Sequence, residues 1–184
     1  MSTTAVIILV VVVVIVVLAV AALVARPAMR RRRLKGTFGP EYDRTVEDKG
    51  DVRSAEAELT QRQRRHQDFE LSPLSEADRT RYVKEWSAVQ EEFVDSPRAA
   101  VGQADQLIGR VMNDRGYPSG GFDQQAADLS VEHSDVLAHY RTAHAISRRG
   151  NDDPASTEDL REAMVHYRTL FESLVEHATP ERSR

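Results

Sequence analysis

The 184-residue chain contains no cysteine. This absence excludes disulfides, thiolate metal sites, a cysteine nucleophile and a lipoprotein anchor. The chain also lacks any run that alternates apolar and polar residues, which is the pattern of a half-buried strand. It does contain several stretches with apolar residues at three- and four-residue spacing, as in amphipathic helices. The sequence therefore predicts an all-α protein.

Standard catalytic motifs are missing as well. There is no G-x-S-x-G, H-E-x-x-H, Walker or EF-hand pattern. The glycine-rich segment at 116–121 has no G-x-G-x-x-G or G-K-[ST] ending, and no strand precedes it, so we interpret it as a turn. We predict no cofactor and no enzymatic activity, with an enzymatic or metal-binding bundle as the alternative.

Residues 5–25 form an unbroken apolar run of sixteen Val, Ile or Leu and five Ala. As a helix this run is roughly 31 Å long, which matches the roughly 30 Å hydrocarbon core of a bilayer. It predicts a transmembrane helix. A cleavable signal peptide is the competing interpretation, because Ala19-Val20-Ala21 fits an A-x-A site, but the N-terminus lacks the basic residues of a signal peptide.

The charges that flank this run predict its orientation. No Lys or Arg precedes it, and six basic residues follow it: Arg26, Arg30, Arg31, Arg32, Arg33 and Lys35. By the positive-inside rule, residues 1–4 are extracytoplasmic and residues 26–184 lie on the cytoplasmic face of the plasma (inner) membrane. The same basic residues are expected to contact membrane lipids. An exported bundle held by an uncleaved signal anchor is the alternative.

The chain beyond this cluster is acidic. Residues 36–184 carry 19 basic and 29 acidic residues, a net charge of −10. This surface argues against a nucleic-acid partner.

Residues that start or end helices divide the rest of the chain into segments. After a basic juxtamembrane segment (26–37), residues 38–73 favour helix but have few apolar positions, which predicts a solvated helical stalk or linker. Residues 74–178 contain four longer amphipathic helices, with starts signalled at Ser75, Ser96-Pro97 and Ser156 and with Trp86 in the core, and predict a four-helix-type bundle. Residues 179–184 are expected to form a disordered tail.

One four-residue motif occurs twice and could form a metal-binding site. His-Tyr-Arg-Thr occurs at 139–142 and again at 166–169, at equal height in a predicted antiparallel hairpin. Asp135 and Glu162 stand four residues before His139 and His166, on the same helical faces, which suggests a two-histidine, two-carboxylate metal site. The alternative, which we favour, is that Tyr140 and Tyr167 pack together with the histidines beside them. The remaining histidines are expected to be exposed: His66, His133, His144 and His177.

Several motifs occur together in this chain: Phe-Gly-Pro-Glu-Tyr-Asp-Arg at 38–44, Arg-Gly-Tyr-Pro at 115–118 and Ser-Thr-Glu-Asp-Leu-Arg at 156–161. In this combination the chain resembles a family of bacterial, largely actinobacterial, single-span membrane or secreted proteins. The resemblance implies no activity, because none is assigned to that family.

The sequence predicts a non-enzymatic interaction or scaffold module held at the membrane. Its protein partner is not identified by any motif, and self-association stays open.

The predicted orientation can be tested with reporters fused after Arg184. We expect an alkaline phosphatase fusion to be inactive and a fluorescent protein fusion to be bright, because the six basic residues keep the C-terminal part in the cytoplasm. Strong phosphatase activity would contradict this topology.

Overall fold

The structure, a computed structural model, describes residues 3–150 and 154–176, and within its first helix it describes side chains at 11–17, at 26 and from 28 onward. These residues contain eight helices and no strand, so the all-α prediction is confirmed. The helices are α1 (Thr3–Phe38), α2 (Pro40–Lys49), α3 (Val52–Gln67), α4 (Glu76–Asp95), α5 (Pro97–Asp114), α6 (Phe122–Leu129), α7 (Leu137–Ser147) and α8 (Thr157–Glu176).

Among the residues that the structure describes, none of the helices is both long and apolar enough to cross a membrane. Most side chains of the run at 5–25 lie outside that description. The predicted tail at 179–184, His177 and the first two residues of the predicted extracytoplasmic N-terminus also lie outside it.

Local signals start and end the helices as expected. Ser75 accepts a hydrogen bond from the Asp78 amide at the start of α4. At the start of α8, Ser156 and Asp159 form a reciprocal capping box, in which each side chain accepts from the other's backbone amide. Gly50, at φ 66°, ends α2 in the left-handed conformation that glycine adopts without strain. These ends are dictated by residues within one helical turn.

The main core belongs to a helical bundle, as predicted. Helix α5 packs against α4, α7 and α8, and α8 also packs along α7. Six of the apolar side chains that α5 contributes are almost completely buried: Val101, Ala104, Leu107, Ile108, Val111 and Met112. Trp86 of α4 is 6% exposed, so its predicted place in the core is confirmed.

The stalk predicted at 38–73 is much less solvated than expected. Helix α2 packs against α1 and α3, and a second core forms from Leu34, Phe38, Tyr42 and Leu59. The sequence interpretation counted only the few apolar positions of α3 itself. It missed that Leu34 and Phe38, four residues apart on the end of α1, and Tyr42 on α2 supply the opposing surface.

Buried ion pairs join this N-terminal unit to the bundle. The Glu41 carboxylate of α2 is 5% exposed and accepts hydrogen bonds from Arg62 of α3 at 3.0 Å and from Arg141 of α7 at 2.6 Å. A second contact pairs Arg65 of α3 with Asp128 of α6 at 3.0 Å. The charges of the predicted stalk therefore connect α2 and α3 to α6 and α7.

Glu41→Gln should destabilise the folded protein by about 2 to 3 kcal/mol, because it removes charge-assisted hydrogen bonds to two largely buried guanidinium groups and leaves Arg141 without its carboxylate, while Arg62 keeps Glu58. The measurement is denaturant unfolding of the full chain in detergent, followed by circular dichroism. Asp43→Asn, two residues away on α2, is the matched control. It removes the exposed ion pair with Lys35 and should change stability by less than about 1 kcal/mol. Equal effects of the two variants would contradict the assigned role of Glu41.

Candidate functional site

The two histidines of the repeated His-Tyr-Arg-Thr motif contact each other. The Nδ1 atoms of His139 on α7 and His166 on α8 lie 2.7 Å apart, a hydrogen-bond distance, and the ring centroids are 4.8 Å apart. One nitrogen donates and the other accepts, so a single proton lies between the rings. The antiparallel hairpin predicted from the sequence thus brings the two copies level.

The two carboxylates do not complete a metal site with them. Glu162 Oε1 lies 3.4 Å from His166 Nε2. Asp135 is exposed and precedes α7, which begins only at Leu137, so the helical i,i+4 relation to His139 does not hold. Within the described residues, no group of three or more histidine or carboxylate side chains is arranged to hold a metal ion.

Tyr140 and Tyr167 of the repeated motif pack together, with ring centroids 6.2 Å apart. Tyr167 donates to Asp105 at 2.9 Å and Tyr140 donates to Gln125 at 3.1 Å. Burial raises the pKa of both phenols above its usual value, so both stay protonated and act as hydrogen-bond donors inside the bundle. This pair has the geometry of a structural contact.

Three other histidines differ from the expectation of exposure. His133 is completely buried, and its Nδ1 lies 2.8 Å from Ser173 Oγ. His144 stacks on Phe122 with ring centroids 3.7 Å apart, and His66 Nε2 lies 3.5 Å from Glu132. The sequence interpretation was wrong for His133, because the segment between α6 and α7 is folded against α8 and is not a solvated connection.

A buried arginine went unnoticed in the sequence. Arg115, at the end of α5, is 0% exposed and donates to the Leu174 carbonyl at 2.7 Å. This carbonyl is one of the last four of α8, whose C-terminal end favours a cation. Arg115 thus ties the end of α8 to the end of α5, a structural role. Only its place after a helix and before Gly116 could have indicated it.

An apolar groove runs between α4 and α8. Its floor is the stacked pair Trp86 and Phe171, with ring centroids 4.8 Å apart. One cavity of about 310 Å³ lies on one side of Trp86 and a second of about 190 Å³ lies on the other, toward Phe93 and Met164. Val83 and Val165 line the two cavities and are 47% and 51% exposed.

The basic residues predicted to contact lipid lie on the last turns of α1. Arg30 donates to the Glu56 carbonyl and the Thr60 hydroxyl of α3, both at 3.0 Å. Lys35 pairs with Asp43 at 3.1 Å. Arg26 and Arg31 to Arg33 form no ion pair with the described residues. Arg30, Lys35 and Arg31, which interacts with the Tyr42 hydroxyl, thus contact the N-terminal unit, while Arg26, Arg32 and Arg33 pair with no carboxylate among the described residues.

Comparison of the chain with protein-family models, with curated proteins and with solved structures finds no match. The motif resemblance stays a prediction.

We expect the purified full chain to bind no stoichiometric zinc through His139 and His166. Two nitrogens that bind one tetrahedral zinc ion lie about 3.3 Å apart, as follows from Zn–N bonds of about 2.0 to 2.1 Å, and each site needs further ligands that do not converge here. Elemental analysis after zinc loading and dialysis provides the measurement. Stoichiometric zinc that disappears in the His139→Ala, His166→Ala double variant would instead support the metal-binding alternative.

Proposed function

We propose that this protein is a single-span, membrane-anchored interaction module without enzymatic activity, with its helical bundle on the cytoplasmic face. The apolar run at 5–25 and the basic residues that follow it support the anchor and its orientation. The observation that carries the interaction role is the groove between α4 and α8, where large apolar side chains are exposed beside a stacked aromatic pair.

The groove has the dimensions of a helix-binding surface. Its α4 wall includes Arg79, Val83, Trp86, Gln90 and Phe93, which recur at three- and four-residue spacing over about four helical turns, or about 21 Å. Helices dock in such grooves through apolar side chains at the same spacing.

We propose a second copy of the chain as the occupant. The charges of α8 at the two ends of the groove are opposite, with Arg161 beside the cavity at Met164 and Glu176 beside the cavity at Val83. A two-fold axis near Arg168 turns the second copy end for end, so that Arg161 of each copy faces Glu176 of the other. This is the self-complementary pattern of an isologous interface.

Cysteine crosslinking tests this interface directly, because the chain has no cysteine of its own. Ser87 lies at the middle of the groove, near the proposed axis, and we expect Ser87→Cys to form a disulfide-linked dimer in oxidised membranes. Ala138→Cys, exposed on α7, is the matched control and should stay monomeric. Equal crosslinking of the two variants would contradict the groove as the interface.

A charge exchange provides a second readout in the same assay. Arg161→Glu and Glu176→Arg should each reduce the Ser87→Cys crosslink, because each places like charges opposite one another. The double exchange should restore it. Failure of the double exchange to restore the crosslink would show that these two side chains do not face each other.

A further inference from the structure

A cleft at the membrane end of the N-terminal unit is lined by four arginines. It has a volume of about 750 Å³ and lies between the last turns of α1 and the start of α3. Its charged lining is Arg26, Arg30, Arg31, Arg53, Asp51 and Glu56, a net charge of +2. The chain beyond residue 35 carries a net charge of −10, so this cleft is a local reversal of sign.

The fold places this cleft beside the end of the apolar run. Helix α2 begins after the turn at Gly39 and has ten residues, so it returns about 15 Å along α1, to the level of residue 28. The turn from α2 to α3 therefore lies next to Arg26, the first residue after the run. Helices α1 and α3 build the cleft at the height where the headgroups of an anionic leaflet lie if residues 5–25 span the membrane.

The two carboxylates of the lining are already engaged by the protein. Asp51 accepts a hydrogen bond from the Ser54 amide at 2.8 Å and caps α3, while Glu56 accepts one from the buried Tyr42 hydroxyl at 3.0 Å. Arg53 interacts electrostatically with the neighbouring Asp51, while Arg26 forms no side-chain hydrogen bond or ion pair with the described residues. The cleft therefore has an excess of guanidinium groups over carboxylates, and the capped start of α3 contributes little.

We propose that this cleft binds the phosphate of an anionic lipid headgroup, an inference that rests on the membrane anchor of the proposed function. Guanidinium groups bind phosphate through paired hydrogen bonds. The lining also includes Ala28 and Val52, the latter 37% exposed, which suit the glycerol and acyl portion of a lipid better than a free phosphate ion. The cleft is thus a defined headgroup site within the wider basic surface.

The test compares two variants that remove the same charge. Arg26→Gln with Arg53→Gln removes two cleft arginines, while Arg32→Gln with Arg33→Gln removes two neighbouring arginines that are exposed and do not line the cleft. The full chain in detergent is titrated with phosphatidylglycerol or phosphatidylcholine, and bound lipid is counted by native mass spectrometry. We expect the cleft pair to weaken phosphatidylglycerol binding by about tenfold or more and the control pair to weaken it less.

Other outcomes would overturn the proposal in distinguishable ways. Equal losses in both variants would show that charge near the membrane acts without a specific site. Equal binding of the two lipids by the unmodified chain would exclude headgroup recognition. Displacement of phosphatidylglycerol by millimolar inorganic phosphate would assign the cleft to free phosphate. Failure of the anchor itself is separate, because the full chain would then be recovered in the aqueous fraction after membrane sedimentation.

Discussion

The carboxylate of Glu41 joins the N-terminal helices to the bundle. It forms ion pairs with Arg62 of α3 and Arg141 of α7, and Arg62 also pairs with Glu58. A carboxylate that is 5% exposed is costly to bury unless it is paired and hydrogen-bonded, and here two guanidinium groups compensate it. Because its partners come from helices far apart in the chain, one residue fixes the register of α2 against both α3 and α7.

The proposed surfaces depend on this connection in different ways. The groove is built entirely by α4 and α8, whose contact is the stacked pair of Trp86 and Phe171, so it belongs to the bundle alone. The arginine cleft needs α2 to return along α1 and bring the start of α3 beside Arg26. Glu41 holds α2 to α3 and to the bundle, and so positions the cleft relative to the bundle. A substitution of Glu41 is therefore expected to disturb the position of the cleft before it disturbs the groove.

Local features of the sequence predicted local structure well. The Ser75 and Ser156 caps each depend on residues within one turn, and each is found in the structure. The level meeting of the His-Tyr-Arg-Thr copies could also be predicted, because an antiparallel hairpin fixes height by counting from its loop. The i,i+4 relation expected between Asp135 and His139 does not hold, since α7 begins two residues after Asp135.

Contacts between distant residues could not be predicted from spacing. The second core joins Leu34 and Phe38 of α1 to Leu59 of α3. No single helix of that unit has enough apolar residues to predict such a core. Likewise, nothing in the pattern indicates that Arg115 reaches the Leu174 carbonyl, 59 residues away. Such pairs are set by tertiary packing, which overrides what a window of one helix contains.

The distribution of charge gives the arginine cleft a physical reason beyond ligand binding. If residues 5–25 anchor the chain as proposed, residues 36–184, with a net charge of −10, are repelled by an anionic leaflet, and the repulsion grows as they approach within a Debye length. The arginines that follow the proposed anchor would offset this repulsion where it is strongest. Because Lys35 already pairs with Asp43, this compensation would come from the arginines nearer the proposed anchor. Among those of the cleft, Arg30 is held in place by α3.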